Sequence, residues 1–193
     1  MERPQSSLPR EVERYLAAQY SSAAAILEYG SGASTVIAAE MPDKTIFSVE
    51  SDKFWARNLR RYLASADFPS RPVVQYADIG KTGKWGRPVD DSGWRRWHLY
   101  PSSVWDLPGF KHPDCVLIDG RFRVACFYMV LIRAEKPVTV LFDDYTHRAY
   151  YRSVEKLRKP AEYCGRMARF DVKPGEYPRP HTTKILSAFT KPF

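Results

Sequence analysis

Cysteine is scarce: Cys115, Cys126 and Cys164 are odd in number, widely spaced, and form no C-x-x-C pair. That argues against a disulfide framework and fits buried, reduced thiols in a cytoplasmic protein, which is the expected location. Long hydrophobic runs are absent too, since no apolar stretch approaches the roughly 20 residues that a membrane helix needs. The start, Met1-Glu2-Arg3-Pro4-Gln5, lacks the apolar segment of a signal peptide. No membrane partner is expected. The sequence also has no G-x-x-x-x-G-K-[ST] phosphate loop, no repeat, no low-complexity linker, no RNA-binding signature and no long basic run.

What is present is enough for a full core in one domain, residues 1–193, with 44% hydrophobic residues. The net charge of +8 is unevenly placed: residues 121–193 hold 15 Lys/Arg against 7 Asp/Glu, while residues 1–120 hold 15 of each. A basic C-terminal third suits an anionic small substrate or nucleic acid. It also suits a solvated helix face such as Arg152, Lys156, Arg158 and Lys159. Without an RNA-binding signature, a small molecule is the expected partner and nucleic acid is not.

The pattern alternates strands and helices. An amphipathic helix over Pro9–Tyr20, within an N-terminal segment 1–22, precedes strands at Ala23–Tyr29, Lys44–Glu50, Pro72–Ala77, Asp114–Ile118 and Val138–Phe142. Helices are expected over Ser34–Met41, from the cap Asp52 to about Ala66, and over Phe122–Arg133 and Arg148–Arg158. Two late strands, near Arg166–Val172 and Thr183–Thr190, suggest a closing hairpin. Such alternation implies an α/β domain with a mostly parallel sheet and right-handed crossovers. Residues 80–113 break the rhythm and carry Trp85, Trp94, Trp97 and Trp105. A long irregular stretch in a compact domain is usually functional or disordered. Its tryptophans favour a substrate-side lid, or packing over a neighbouring subunit in a homo-oligomer.

The most informative stretch is Leu27-Glu28-Tyr29-Gly30-Ser31-Gly32-Ala33-Ser34-Thr35, which ends a small apolar run and opens a helical pattern. A second run, Thr45-Ile46-Phe47-Ser48-Val49, ends on Glu50. Glycines let bare backbone approach a ligand, and an acid at the end of the second strand can take both ribose hydroxyls. The dinucleotide pattern G-x-G-x-x-G fails, because its sixth place, counted from Gly30, is Thr35. Strands one, two, four and five all end in acid, at Glu28, Glu50, Asp119 and Asp143-Asp144, and Asp78 follows strand three. Ligands of open α/β sheets bind beyond these strand ends. Carboxylates gathered there repel unless a cation or cationic ligand is present.

Glu28-x-Gly30-x-Gly32 with Ser34 in the last glycine place resembles motif I of the class I S-adenosylmethionine-dependent methyltransferases. The resemblance implies a Rossmann-like three-layer sandwich with a seven-stranded, mostly parallel sheet and an antiparallel last strand. It implies S-adenosylmethionine as cofactor, held by Glu28, Gly30, Ser31, Gly32, Ser34, Glu50 and Asp78. Asp119-Gly120 and Asp143-Asp144-Tyr145 further resemble the metal-dependent O-methyltransferases, catechol and sugar O-methyltransferases among them. That likeness makes Asp119, Asp143 and Asp144 ligands of a Mg2+ ion that would orient a substrate hydroxyl. The alternative for Asp143-Asp144 is a helix cap and a solvent-facing acid. One departure stands out: the carboxylate base of the sugar enzymes, two residues past the fourth-strand acid, is replaced by Arg121. An arginine cannot take a proton at neutral pH, but it can grip a substrate carboxylate or phosphate. His147 is the nearest base by sequence, unless it is a surface histidine. Asp119, Arg121 and His147 are thus the expected catalytic group of an O-methyltransferase acting on a small molecule. The rivals are a methyltransferase-like protein that binds cofactor without transfer, and a nucleic-acid methyltransferase. No N-P-P-Y or D-P-P-Y follows the fourth strand, which counts against the latter.

Overall fold

The computed structural model describes residues 2–175 and 179–192. Helix α1 (Arg10–Ser22) follows Pro9 and buries Val12, Leu16 and Tyr20, a stripe at helical spacing. Strand β1 (Ala25–Tyr29) leads to α2 (Ala33–Ala39), β2 (Thr45–Glu50), α3 (Lys53–Ser65) and β3 (Val73–Tyr76). Asp52 caps α3, accepting from the amides of Phe54 and Trp55. Then come α4 (Leu99–Ser102), β4 (Cys115–Ile118), α5 (Arg123–Arg133), β5 (Val138–Phe142), β6 (Glu162–Cys164), β7 (Met167–Val172) and α6 (Thr182–Ala188).

The seven strands form one sheet in the order β3-β2-β1-β4-β5-β7-β6. β1 to β5 pair in parallel, and β7 runs antiparallel to both β5 and β6. Side-chain alternation divides the two faces. Leu27, Tyr29, Val116, Ile118, Val140 and Phe142 join the core under α5. Ile26, Ile46, Cys115, Leu117 and Leu141 pack with Val12, Leu16 and Tyr20 of α1. The architecture is the expected three-layer α/β fold. No helix among the described residues is long and apolar enough to cross a membrane.

Three local expectations need correction. The closing hairpin is β6–β7, turned at Gly165 with φ 53°, and not a strand over Thr183–Thr190. That segment is α6, whose buried Ile185 and Ala188 stand three apart, a helical spacing. The stretch after β5 is a 3₁₀ helix, Ala149–Lys156, and not an α-helix. Finally, much of residues 80–113 is not a lid. Trp97, Tyr100, Val104 and Trp105 are buried in the main core. Trp105 Nε1 donates to the Tyr29 hydroxyl at 2.7 Å, and that hydroxyl donates to the Pro101 carbonyl at 2.7 Å. Of the four tryptophans in this segment, Trp85 and Trp94 stand exposed.

Candidate active site at the strand ends

β1 and β4 are neighbours whose following helices leave in opposite directions across the sheet, the usual ligand crevice of such folds. The crevice is sealed by two glycines set back to back. Gly30 has φ 101°, and a Cβ added there would lie 2.7 Å from the Gly120 nitrogen. A Cβ on Gly120 would lie 2.0 Å from the Tyr100 hydroxyl oxygen and 2.8 Å from the Gly30 nitrogen. Above them opens a cavity of about 500 Å³, walled by residues 30–34, 50–52, 85–87 and 119–121, with Gln5–Leu8 at one side.

Glu50 lines this cavity and is only 8% exposed. Its Oε1 accepts from the amides of Ser51 and Asp52, at 2.7 and 2.8 Å. Among the described residues, its Oε2 accepts from the amide and hydroxyl of Ser31, both at 3.4 Å. One oxygen is thus fixed and the other weakly held. Burial raises the Glu50 pKa, opposed by the amides of Asp52, Ser51 and Ser31. Gly86, at φ 67°, lies over this carboxylate, where an added Cβ would be 2.4 Å from Ser51 Oγ and 3.0 Å from Glu50 Oε1. The Ser51 hydroxyl donates to the Gly86 carbonyl at 2.8 Å, tying the tryptophan-bearing tip to the end of β2.

Gly30, Ser31, Gly32 and Ser34 all line the cavity. Glu28 does not. It is fully buried on the α1 side of the sheet, accepting from the Tyr20 hydroxyl at 2.8 Å and from Thr35 Oγ1 at 2.5 Å. Thr35 Oγ1 accepts in turn from the Gly32 amide at 3.0 Å. Glu28 therefore props the glycine turn from beneath, with its pKa raised by burial. Asp78 is also outside the cavity lining. It is ion-paired to Arg96 and accepts the Gly80 amide at 3.0 Å, so it anchors the 80–113 segment.

Asp119, Asp143 and Asp144 come together, but arginines occupy them. Arg166 donates from Nε and Nη2 to the two carboxylate oxygens of Asp143, which is fully buried. Arg123 lies 3.1 Å from Asp119 and 3.5 Å from Asp144, and donates to the Asp143 carbonyl at 2.8 Å. Arg148 and Arg166 reach Asp144 at 3.4 and 3.5 Å. The set does not fit Mg2+, which needs carboxylate oxygens free to face the ion. Among the described residues no group of three or more His, Cys, Asp or Glu suits a metal. Arg123 and Arg166 supply the positive charge instead. Burial raises the Asp119 pKa, Arg123 opposes the shift, and Asp143 adds to it.

Arg121 lines the cavity, and its Nε is buried without a hydrogen-bond partner. His147 is exposed and lies outside the cavity lining, so it is not placed to take a proton there. Left-handed backbone occurs at Asp144 itself, φ 58°, and at Phe122, three residues after Asp119, φ 50°. Non-glycine residues held there commonly mark functional loops. Arg123 and Arg166 went unread from the sequence. Arg123 stands four residues after Asp119 at the start of α5, a spacing that signals such a pair. Arg166 arrives from the β6–β7 turn, and nothing local announces it.

No protein-family model matches the chain, and no curated protein does. Among solved structures, a methyltransferase-like protein from Silicibacter pomeroyi DSS-3 is similar at 42% identity and TM-score 0.94, covering 98% of this chain and 99% of that one. The chain belongs to the family of this methyltransferase-like protein. More distant likenesses bear on the fold of this methyltransferase-like chain. The O-methyltransferase TomG from Streptomyces achromogenes, in complex with S-adenosylmethionine, matches at 18% identity and TM-score 0.57, over 88% of this chain and 82% of that one. An O-methyltransferase from Bacillus cereus, in complex with S-adenosylhomocysteine, matches at 15% identity and TM-score 0.57, over 88% and 84%.

Proposed function

We propose that the chain is an S-adenosylmethionine-dependent methyltransferase that methylates an oxygen of a small molecule, without a metal ion. The observation that carries this reading is Glu50: a buried carboxylate with one weakly held oxygen, on a glycine-turned cavity. Two vicinal hydroxyls would satisfy that oxygen and favour the ionised form. The Gly30–Ser34 turn supplies bare backbone for the rest of the cofactor. Gly86 and Trp85 close over the same end of the cavity. The relatives from S. achromogenes and B. cereus, seen with cofactor or its product, support the same ligand.

Bound S-adenosylmethionine would supply a methyl group on a positively charged sulfur, which leaves as a neutral thioether once the acceptor oxygen takes the methyl. The chain's part is to align the acceptor and to receive its proton. We assign the second task to Asp119. It lines the cavity, its side chain is 31% exposed, and burial raises its proton affinity. Arg123, 3.1 Å away, stabilises the ionised form before the proton arrives.

Calorimetric titration with S-adenosylhomocysteine tests the cofactor site, and absence of binding defeats the proposal. Transfer of labelled methyl to a panel of hydroxylated small molecules tests the chemistry. Cofactor binding with no transfer to any hydroxyl would favour a non-catalytic cofactor-binding protein, a reading suggested by Arg121 standing where related enzymes carry a base.

A further inference from the structure

The wall of the cavity holds Arg121, a guanidinium outside the ion pairs of the carboxylate cluster. Among the described residues, Arg123, Arg148 and Arg166 make the ion pairs with Asp119, Asp143 and Asp144, and Arg121 takes part in none of them. Its Nε is buried without a partner, and it stands in the cavity wall. A buried donor left unsatisfied is destabilising, and more so when charged.

The backbone nevertheless holds it there firmly. The Arg121 amide donates to the Tyr100 hydroxyl at 3.2 Å, and its carbonyl accepts from Cys126 Sγ at 3.4 Å. The next residue, Phe122, is left-handed at φ 50°, with its ring fully buried 5.6 Å from Trp97 and 5.7 Å from Tyr100. The bend at Phe122 keeps residue 121 on the cavity side while residue 122 enters the core. Burial and the nearby charge of Arg123 both work against the Arg121 cation. An anion against the part of Arg121 that lines the cavity would relieve the desolvated charge and the like-charge neighbour. A planar guanidinium suits a carboxylate best, through two parallel hydrogen bonds.

We infer that Arg121 anchors a carboxylate of the methyl acceptor, which makes the substrate class a small hydroxy acid. This rests on the reading of the cavity as a methyl-transfer site. The anchor and Asp119, two residues apart on one loop, would then address the two ends of a single small molecule: the carboxylate and the hydroxyl to be methylated.

The test uses benzoate as probe, with benzamide as its neutral counterpart and inorganic phosphate as a rival anion. Thermal shift and calorimetry are run on wild type, Arg121→Gln and Arg121→Lys, with and without S-adenosylhomocysteine. Saturable benzoate binding is expected in wild type, weakened about 10–100-fold in Arg121→Gln, as for loss of a charge-assisted hydrogen bond. Arg121→Lys should retain part of it, and benzamide should not bind. Should Arg121→Gln not fold, the Arg121 Nε–H resonance of wild type must still move on adding benzoate. The inference is overturned if benzoate does not bind wild type, if Arg121→Gln binds it equally, if benzamide binds as well, or if phosphate binds and benzoate does not. Titration with S-adenosylhomocysteine alone separates the two readings. A protein that takes benzoate through Arg121 but no S-adenosylhomocysteine keeps the anion site and loses the methyltransferase proposal.

Discussion

Arg166 holds the buried Asp143 carboxylate with two hydrogen bonds, 2.9 Å from Nε to Oδ1 and 2.7 Å from Nη2 to Oδ2. The arginine comes from the turn between β6 and β7, and the aspartate follows β5. The antiparallel margin of the sheet therefore supplies the counter-charge for its parallel centre. Asp143 is 0% exposed and the Arg166 side chain 21%, so the pair is shielded from water.

Removing one partner of such a pair leaves a charge buried and uncompensated. Arg166→Met should lower stability by about 3–5 kcal/mol in urea denaturation. Asp143→Asn in the same chain should restore part of the loss, because the stranded charge disappears. A loss below about 1 kcal/mol, the level of exposed pairs, would show that the bridge is not desolvated.

With the carboxylates already neutralised by arginine, magnesium has little to bind. The melting temperature is expected to be the same in excess Mg2+ and in EDTA. A rise with Mg2+ that Asp143→Asn abolishes would reinstate a metal site at these residues.

Glu50→Gln, which keeps an oxygen acceptor for the Ser51 and Asp52 amides, should leave the fold intact and should weaken S-adenosylhomocysteine by about 1.5–3 kcal/mol, the range for hydrogen bonds to a charged group. Unchanged affinity by calorimetry would remove Glu50 from the ribose site.

Asp119 should give a pH signature. Folding raises its pKa from the ordinary 3.8 to about 7. The group's stabilising contribution is therefore complete below the unfolded value and is lost as pH rises through the folded one. The melting temperature should carry a decline between about pH 4 and pH 7 that Asp119→Asn removes. Superimposable pH profiles for variant and wild type would refute the shift.

The methyltransferase architecture could be read in advance because each of its signals is local: apolar runs, Pro42 and Asp52 at helix boundaries, and glycines after β1. Glu50 was legible for the same reason, as the acid that closes β2. Glu28 was misread because a strand-end acid can turn to either face. It shares the face of Ile26, two residues before, and so points at Tyr20 and away from the cavity. The metal expectation counted carboxylates close in sequence and missed the arginines that meet them in space. Arg166 lies 23 residues from Asp143, and no short-range pattern links them. The Thr182–Ala188 segment misled because Thr-Thr and Ile-Leu favour strands, until burial of Ile185 and Ala188 decides for a helix.

The contact between Gly30 and Gly120 also constrains how this chain can change. An added Cβ at either would strike the other's backbone, at 2.7 Å in one direction and 2.8 Å in the other. Relief would require β1 and β4 to slide apart, which their shared register from Ile26 to Tyr29 opposes. Neither position therefore has a tolerated neighbour in single-substitution space, nor does a double replacement rescue the pair. A deep mutational scan selecting for cofactor retention should recover glycine alone at 30 and 120, while Ser31 and Ser34 between them admit other small residues.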